Sequence, residues 1–301
     1  MPDTILLNEV KKTFGNHTVL NGVSLQVDKS VAYGLVGLNG AGKTTLLRLM
    51  LGILKTDSGT IAINGFNPWN HKVDFYTRLG VVLDHDGFWG NLTIKENLKI
   101  FSAAKKLTWS ETEKYITQFW SDTVIATADK KVKHLSRGQR VQCSLCRAFL
   151  GWPDVLLLDE PAVALDMTAY AHFRMIVKNA KERGAALIIS SHQLDTIDDL
   201  CDRVGNLSSG ILDDLQCGNR GHVRWLLFTS AICDCLPLLS ECGCTNINSS
   251  NGRWDFLVNN PQTTIPAIVE KMVRCQYPVF EIRPETTGFS DTIRSIYTKQ
   301  N

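Results

Sequence analysis

A glycine-rich loop between an apolar strand and a helix constrains this chain more than any other feature. The run VAYGLVG predicts a buried strand, and LNGAGKTTLLRLMLG continues with apolar residues at helical spacing. Between them, residues 37–44 match G-x-x-x-x-G-K-T, and the flanking strand and helix are the context that makes this pattern specific for phosphate binding. The sequence therefore predicts a phosphate-binding loop, in which backbone N–H groups and a helix N-terminus face an anion.

The loop residues have expected roles in binding a nucleotide. Lys43 would reach the β- and γ-phosphates, and Thr44 would ligate Mg²⁺. The complete motif disfavours the alternative of an ordinary glycine-rich turn. The predicted nucleotide-contacting residues of the loop are Gly37, Leu38, Asn39, Gly40, Ala41, Gly42, Lys43, Thr44 and Thr45.

A second apolar run, DVLLLDEP, ends in two acidic residues. Asp159 at the strand tip is placed to hold Mg²⁺ through water, because a hard cation keeps much of its hydration. Glu160 beside it would orient or deprotonate an attacking water. A strand followed by a charged turn without catalytic function is the alternative, and the phosphate-binding loop makes it less favoured.

The run LSRGQ, residues 135–139, forms a serine-glycine turn far downstream of the first loop. Ser136 offers a hydroxyl and Gly138 a backbone N–H, and both lie at a predicted helix N-terminus, where anions are favoured. Because this turn lies on a helical insert, it is not expected to reach its own phosphate loop. The simplest geometry is a head-to-tail pair in which each chain covers the nucleotide of the other.

Strand and helix patterns alternate over residues 1–215, which predicts a large α/β unit with a mixed β core. A helical subdomain is predicted over about residues 85–150. Two of its helices carry the pattern of a capping box, Thr93 with Glu96 and Ser110 with Glu113.

In residues 216–301 the strand and helix patterns follow a different order, which predicts a small C-terminal α+β domain. The order of patterns suggests a ferredoxin-like β-α-β-β-α-β core, with a short helix over ICDCLPLLSEC and a closing helix over FSDTIRSIY. We expect this domain to serve dimer contacts or regulation.

Charge and cysteine usage narrow the class of protein. The 32 basic residues nearly balance the 30 acidic ones, so no nucleic-acid partner is expected.

The start of the chain lacks signal-peptide features and no apolar run reaches the length of a membrane helix, so a cytoplasmic chain with free thiols is expected. The C-x-C pairs invite a zinc site but lack C-x-x-C spacing, so buried thiols are favoured for Cys233, Cys235, Cys242 and Cys244.

Together these motifs resemble the ATP-binding subunit of an ABC transporter, over roughly residues 4–215. In that resemblance GLNGAGKTT is the Walker A loop, VLLLDEP is Walker B, and HLSRGQR contains the LSGGQ signature with Arg137 in place of a glycine. The resemblance implies ATP and Mg²⁺ as ligands and a catalytic set of Lys43, Glu160 and His192. His192 in ISSHQ matches the switch histidine that contacts the γ-phosphate.

The resemblance extends to further nucleotide contacts. It implies that Phe14 in KKTFG stacks on adenine, that Asp166 in ALD is the interface aspartate, and that Ser136, Gly138 and Gln139 of the signature contact the nucleotide. A core role for Phe14 and a structural role for His192 are the alternatives. The resemblance also implies that the Q-loop residue, Asp84 in this chain, contacts the nucleotide and Mg²⁺.

Two positions depart from the family pattern. Asp84 in GVVLDHDGF stands where the Q-loop has glutamine or glutamate, so this shorter anionic side chain would reach Mg²⁺ through water. Val163 in PAVALD stands where a serine is common, which removes a hydroxyl from the expected interface.

The resemblance is strongest to ATPases that export antibiotics and bacteriocin-like peptides. It implies separate transmembrane permease subunits, a homodimer or a paired second ATPase subunit, and a peripheral location on the cytoplasmic face of the membrane. A coupling segment of the permease would dock near residues 84–92, where Trp89 is either exposed or core. A soluble ABC ATPase of cofactor assembly, translation or DNA repair is the alternative, and a P-loop kinase is a more distant one.

Overall fold

The computed structural model describes residues 4–70, 73–83, 86–120, 122–215, 223–230, 233–258 and 260–284. The chain divides into two compact units, Met1–Leu215 and Gln216–Asn301.

The first unit contains nine strands and eight helices among its described residues. The strands are β1 (Ile5–Phe14), β2 (His17–Val27), β3 (Ala32–Val36), β4 (Ser58–Ile63), β5 (Leu79–Val82), β6 (Val155–Asp159), β7 (Ala186–Ser190), β8 (Arg203–Ser208) and β9 (Ile211–Leu215). The helices are α1 (Lys43–Met50), α2 (Val73–Thr77), α3 (Ile94–Ala104), α4 (Trp109–Phe119), α5 (Asp122–Ala126), α6 (Arg137–Phe149), α7 (Met167–Glu182) and α8 (Leu194–Leu200).

A six-stranded sheet in the order β5-β6-β7-β3-β8-β9 forms the centre of this unit. Its pairs are parallel except for the antiparallel pair of β8 and β9. Every residue of β3, β6 and β7 is buried, as expected for parallel strands covered on both faces. Because β3, β6 and β7 are neighbours, their carboxyl ends meet at one edge of the sheet.

A second, antiparallel sheet in the order β2-β1-β4 packs its inner face on the same core. Alternate residues of β1 and β2 point inward, which gives the period-two pattern of a sheet with one buried face. The inward residues of these two strands include Ile5, Leu7, Val10, Leu20, Val23, Leu25 and Val27.

The helices α3 to α6 occupy residues 94–149 and lie within the range predicted for the helical subdomain. The capping box predicted at Thr93 is confirmed, because the Thr93 hydroxyl accepts from the Glu96 N–H and the Glu96 carboxylate accepts from the Thr93 N–H. The capping box predicted at Ser110 is wrong. Helix α4 begins two residues earlier, and Thr108 forms the box with Glu111.

The described residues of the second unit form an antiparallel sheet with two helices. Its strand order is β11-β12-β10-β13, and the elements alternate as β-α-β-β-α-β along the chain. Phe256, Met272 and Leu239 are fully buried in its core. The elements are β10 (Val223–Phe228), α9 (Leu236–Glu241), β11 (Thr245–Ser250), β12 (Arg253–Val258), α10 (Pro261–Arg274) and β13 (Glu281–Pro284).

Two boundaries in this unit differ from the pattern-based expectation. Helix α9 begins at Leu236, later than the predicted run ICDCLPLLSEC, because Pro237 in its first turn fixes φ and suits a helix start. Strand β13 is shorter than the predicted run YPVFEIRP. The closing helix predicted over FSDTIRSIY lies outside the described residues.

Candidate active site

The phosphate-binding loop follows β3 and enters α1 through two glycines that a side chain could not replace. A Cβ on Gly37 would lie 2.4 Å from the Leu207 carbonyl oxygen. Gly42, the N-cap of α1, has a left-handed φ of 105°, and its Cβ would lie 3.0 Å from Val19 Cγ1. The loop thus packs closely against β8 and β2, and its amides lie at the start of a helix.

Lys43 lies buried at the base of this loop, with 9% of its surface exposed. Its ammonium donates to the Gly37 carbonyl at 2.7 Å and to the Leu38 carbonyl at 3.3 Å. Burial lowers the pKa of Lys43, and the nearby carboxylates of Glu160 and Asp159 oppose that shift. An anion in the loop would therefore meet a cation that has little water around it.

Asp159 joins the loop to the central sheet. The Thr44 hydroxyl donates to Asp159 Oδ2 at 2.7 Å, and the Ser190 hydroxyl donates to Asp159 Oδ1. Asp159 and Ser190 face each other in the parallel register of β6 and β7. The carboxylate is therefore held on both oxygens, and the hydroxyl and carboxylate oxygens of Thr44 and Asp159 form an adjacent pair of hard ligands.

Glu160 follows in a left-handed backbone conformation, with a φ of 48°. A non-glycine residue in this region is uncommon and is sustained only when its surroundings hold it. Here the Glu160 N–H donates to both the carbonyl and the hydroxyl of Ser190, each at 3.1 Å. The register of β6 and β7 therefore holds Glu160 in its left-handed turn.

His192 completes the cluster from the end of β7. Its Nδ1 lies 2.8 Å from Glu160 Oε2, and its backbone N–H lies 3.4 Å from the same oxygen. The imidazole is more exposed than the carboxylate, 57% against 27%. The pair can therefore orient a reacting group from the solvent side of the cavity.

These residues line one cavity of about 960 Å³. Its volume lies at the upper end of the range typical of ligand sites. The predicted site residues that line the cavity are Phe14, Asn39, Gly40, Ala41, Gly42, Lys43, Thr44, Thr45, Asp159, Glu160 and His192.

The other predicted site residues are not among the described residues that line the cavity. Ser136 caps α6 in a reciprocal box with Gln139: its hydroxyl accepts from the Gln139 N–H at 3.2 Å. Gly138 packs beside this turn, where a Cβ would lie 2.9 Å from the Ala164 carbonyl oxygen. The Asp166 carboxylate accepts from the Ala169 N–H and caps α7. Asp84 lies outside the described residues.

Ser190, His17 and Arg140 are among the contributors to the site that were not predicted from the sequence. Ser190 holds both acids, and its only signal was its place two residues before His192. His17 lies opposite Phe14 in the hairpin register and lines the same cavity. Arg140 on α6 also lines it and lies 3.9 Å from Asp86.

The cysteines among the described residues are free thiols, and the described lining of the cavity includes none of them. Burial raises the pKa of Cys143, Cys235 and Cys244 to about 11 each. Within the described residues, no group of three or more His, Cys, Asp or Glu side chains is arranged to hold a metal ion.

Comparison with known proteins identifies the family. The family model described as ABC transporter matches residues 20–163. The chain is 34% identical over 238 residues to the bacitracin transport ATP-binding protein BcrA of Bacillus licheniformis, covering 75% of this chain and 76% of that protein. This chain belongs to the ABC transporter ATP-binding family. As a member of that family, it binds and hydrolyses ATP.

Other relatives and solved structures agree with the assignment. This ABC ATPase is 29% identical to the linearmycin resistance ATP-binding protein LnrL of Bacillus subtilis over 202 residues, which are 67% of this chain and 65% of LnrL. A structure of an ATP-binding subunit of an ABC transporter matches the fold with a TM-score of 0.66 at 24% identity, over 71% of this chain and 90% of that one. A nucleotide-free ATP-binding cassette matches with a TM-score of 0.61 at 22% identity, over 72% and 92%.

The geometry fits ATP in this ABC ATPase. Phe14, with 48% of its surface exposed, lines the cavity together with His17, the glycine loop and Lys43. Among the described residues, no helix is both long and apolar enough to cross a membrane.

Proposed function

We propose that this ABC ATPase works as a head-to-tail pair that binds two ATP molecules and drives export of a peptide or an antibiotic through separate membrane permease subunits. The pair consists of two copies of this chain or of one copy and a second ATPase subunit, held at the cytoplasmic face of the membrane. Support for export comes from the relatives, whose names describe bacitracin transport, linearmycin resistance and, in Burkholderia, Nod factor export.

One observation carries the paired arrangement. Walker A, Walker B and His192 line one cavity. Of the signature run, Arg137 lines it as well, whereas Ser136, Gly138 and Gln139 are not among its described lining residues. The hydroxyl proton of Ser136 and the N-terminus of α6 are suited to bind an anion. A second chain that presents its own Ser136 turn would therefore supply the missing side of the site.

Within the cavity each residue has a role in hydrolysis. Lys43 would exchange its bonds to the Gly37 and Leu38 carbonyls for bonds to phosphate oxygens, because a charged acceptor is the stronger partner. Glu160 would hold the attacking water and take its proton. His192 would keep the Glu160 carboxylate in place and contact the γ-phosphate.

Thr44 and Asp159 are the residues that would hold Mg²⁺. When bound, the ion supplies positive charge that offsets the developing charge on the phosphoryl oxygens. Ser190 holds the second oxygen of Asp159 and so sets the orientation of the carboxylate toward Thr44.

The energy of this arrangement is sufficient for a reversible clamp. Moving a two-state equilibrium from mostly open to mostly closed requires about 5.5 kcal/mol of differential affinity. Two nucleotides, each gaining two charge-assisted hydrogen bonds of about 1.5 to 3 kcal/mol, would supply roughly 6 to 12 kcal/mol. Loss of the γ-phosphate removes these bonds and reopens the pair.

Light scattering on the Glu160→Gln variant tests the pairing. This variant keeps the shape of the side chain but cannot accept the proton of water, so with Mg²⁺ and ATP it should accumulate as a particle of two chain masses. The double variant Lys43→Ala/Glu160→Gln is the control and should remain monomeric, because it lacks the phosphate contact. A single-chain mass for Glu160→Gln at saturating ATP contradicts a pair of two copies of this chain and requires the second ATPase subunit as the partner.

Copurification tests the transport role separately. Under the proposal, a multi-span membrane protein copurifies with the tagged chain in stoichiometric amount and stimulates its ATPase rate. Recovery of the chain from the soluble fraction alone, with full ATPase activity, would favour the soluble ABC ATPase alternative.

A further inference from the structure

Five of the described cysteines lie in the second unit, and their exposure differs. Cys235 and Cys244 are buried, Cys233 and Cys242 are half-buried, and Cys275 is exposed. The hydrophobic core of the unit includes the two buried thiols, and the two half-buried ones pack against it. Redox-sensing cysteines are accessible thiols that lie beside a second, resolving cysteine. Exposure and neighbouring groups therefore decide which of the five can act in this way.

Helices α9 and α10 pack against each other and carry three of these thiols. On α9, Cys235, Leu239 and Cys242 are spaced by four and three residues and so share one face. On α10, Cys275 follows Met272 by three residues, and Met272 is fully buried in the same core as Leu239. Cys242 and Cys275 are the C-caps of α9 and α10. They thus lie at the ends of two faces that pack on a common core.

An ion pair joins the same two helix ends. The Lys271 ammonium lies 2.9 Å from Glu241 Oε2. Glu241 directly precedes Cys242, and the Cys275 N–H donates to the Lys271 carbonyl at 2.9 Å. The hydrogen bond to Glu241 raises the pKa of Lys271, and negative charge on Cys242 and on Cys275 acts in the same direction. One ammonium group is therefore within electrostatic range of both thiols.

The other thiols of the unit are less suited to react. A thiol reacts as its thiolate, and burial raises the pKa of Cys235 and of Cys244 to about 11. Cys233 is half-buried like Cys242, but it precedes α9 and so lies at the opposite end of that helix. Exposure and the shared ammonium therefore select Cys242 and Cys275.

We propose that Cys242 and Cys275 form a redox-active thiol pair that a peroxide converts into a reversible intrachain disulfide. Cys275 is the thiol that the oxidant meets first, because it is the exposed member, and Cys242 is the resolving thiol. The pair lies in the second unit, so this chemistry requires no nucleotide.

The reaction has two steps. In the first, the Cys275 thiolate attacks one oxygen of hydrogen peroxide; the O–O bond breaks, hydroxide leaves and takes a proton to form water, and Cys275 becomes a sulfenic acid. In the second, the Cys242 thiolate attacks that sulfur; the S–S bond forms, the S–O bond breaks, and the oxygen leaves as a second water. The two thiols lose two electrons and two protons, which reduce the peroxide to two waters. Exchange with a reducing thiol restores the pair.

Mass spectrometry of the full-length reduced chain treated with equimolar hydrogen peroxide tests the proposal. The treated chain should be lighter by two hydrogen atoms and should return to its starting mass with dithiothreitol. Proteolytic cleavage after Glu241, Arg253 and Arg274 places Cys242 and Cys275 on separate peptides. Without reductant these two peptides should remain joined, and fragmentation should place the link at Cys242.

Serine variants assign the two roles. Cys242→Ser should leave Cys275 as a sulfenic acid, which dimedone traps, because the resolving thiol is lost. Cys275→Ser should lose the disulfide completely. Cys233→Ser, which removes a thiol of similar exposure, should form the disulfide in the wild-type amount. All three variants should keep the wild-type ATPase rate in reductant, which checks that they are folded.

Three results would overturn the inference. They are an unchanged mass after peroxide treatment, a link from Cys275 to Cys233, Cys235 or Cys244, and a link between the Cys275 thiols of two chains. The Glu160→Gln pairing experiment is run in reductant and does not involve these thiols, so failure of one proposal is distinguishable from failure of the other.

Discussion

His192 Nδ1 lies 2.8 Å from Glu160 Oε2, across the carboxyl ends of two neighbouring strands. This contact joins a residue of the Walker B turn to one from the end of β7, far apart in the chain. The Glu160 side chain is half-buried, and its backbone adopts the uncommon left-handed conformation. The His192 imidazole is the side chain that contacts its carboxylate. The pair is the chemical centre of the proposed ATPase site.

Replacing His192 by alanine should therefore slow ATP hydrolysis strongly. Loss of a positioned donor in an active site lowers kcat by about 10² to 10³, and the KM for ATP should change far less because the Walker A contacts remain. Phosphate-release kinetics at saturating ATP measure this effect. A variant with wild-type kcat would show that the contact has no role in the reaction.

Ser190→Ala should lower kcat by about tenfold, because a buried hydroxyl that serves Asp159 and Glu160 is lost and such bonds are worth about 1 to 3 kcal/mol. The apparent affinity for Mg²⁺ should fall as well, since Asp159 loses the donor that orients it. Steady-state kinetics over a range of Mg²⁺ concentrations measure both quantities.

The neighbouring Ser191→Ala is the matched control. Ser191 is also buried, but its hydroxyl accepts from the Gln193 N–H rather than serving the acids. If both serine variants behaved alike, Ser190 would have only a packing role.

Phe14→Ala should raise the KM for ATP by about tenfold or more and leave kcat near its wild-type value, because stacking on a base is worth about 1 to 3 kcal/mol. Phe66→Ala removes a similarly exposed aromatic ring that is not among the described lining residues of the cavity and should leave the KM for ATP unchanged. An unchanged KM for Phe14→Ala would argue against stacking.

Lys105 should show an abnormal titration. Its pKa of about 8 in the folded protein lies below the ordinary 10.5, so between these values the unfolded chain binds more protons and stability rises with pH. Lys105→Met lacks this dependence. Its free energy of unfolding, relative to wild type, should be most favourable near pH 7 and should decline as the pH rises above 8. A constant difference from pH 7 to 10 would contradict the shift.

The motifs of the site could be predicted because each is contiguous in the sequence. The Walker A glycines follow a fully buried strand and the Walker B acids lie at the end of another, so the apolar runs, the glycines and the acids are local signals. Ser190 could not be recognised in this way, since its role depends on the register that sets it against Asp159.

The start of α4 shows the same limit on a smaller scale. Thr108 with Glu111 and Ser110 with Glu113 both have the spacing of a capping box, and only one pair can lie at the N-terminus. Trp109 packs near Lys95 and Lys99 of α3, with ring centroids 5.9 and 5.4 Å from their ammonium nitrogens. These tertiary contacts accompany the helix that begins with Thr108 as its N-cap. They cannot be read from the spacing of residues in the sequence.

The most direct test of the paired site is a structure of Glu160→Gln with Mg²⁺ and ATP. The proposal predicts that Ser136 of the partner subunit lies within hydrogen-bonding distance, about 3 Å, of the γ-phosphate bound by Lys43. A structure in which ATP is bound by Walker A but no Ser136 hydroxyl of either chain approaches it would contradict the proposed clamp.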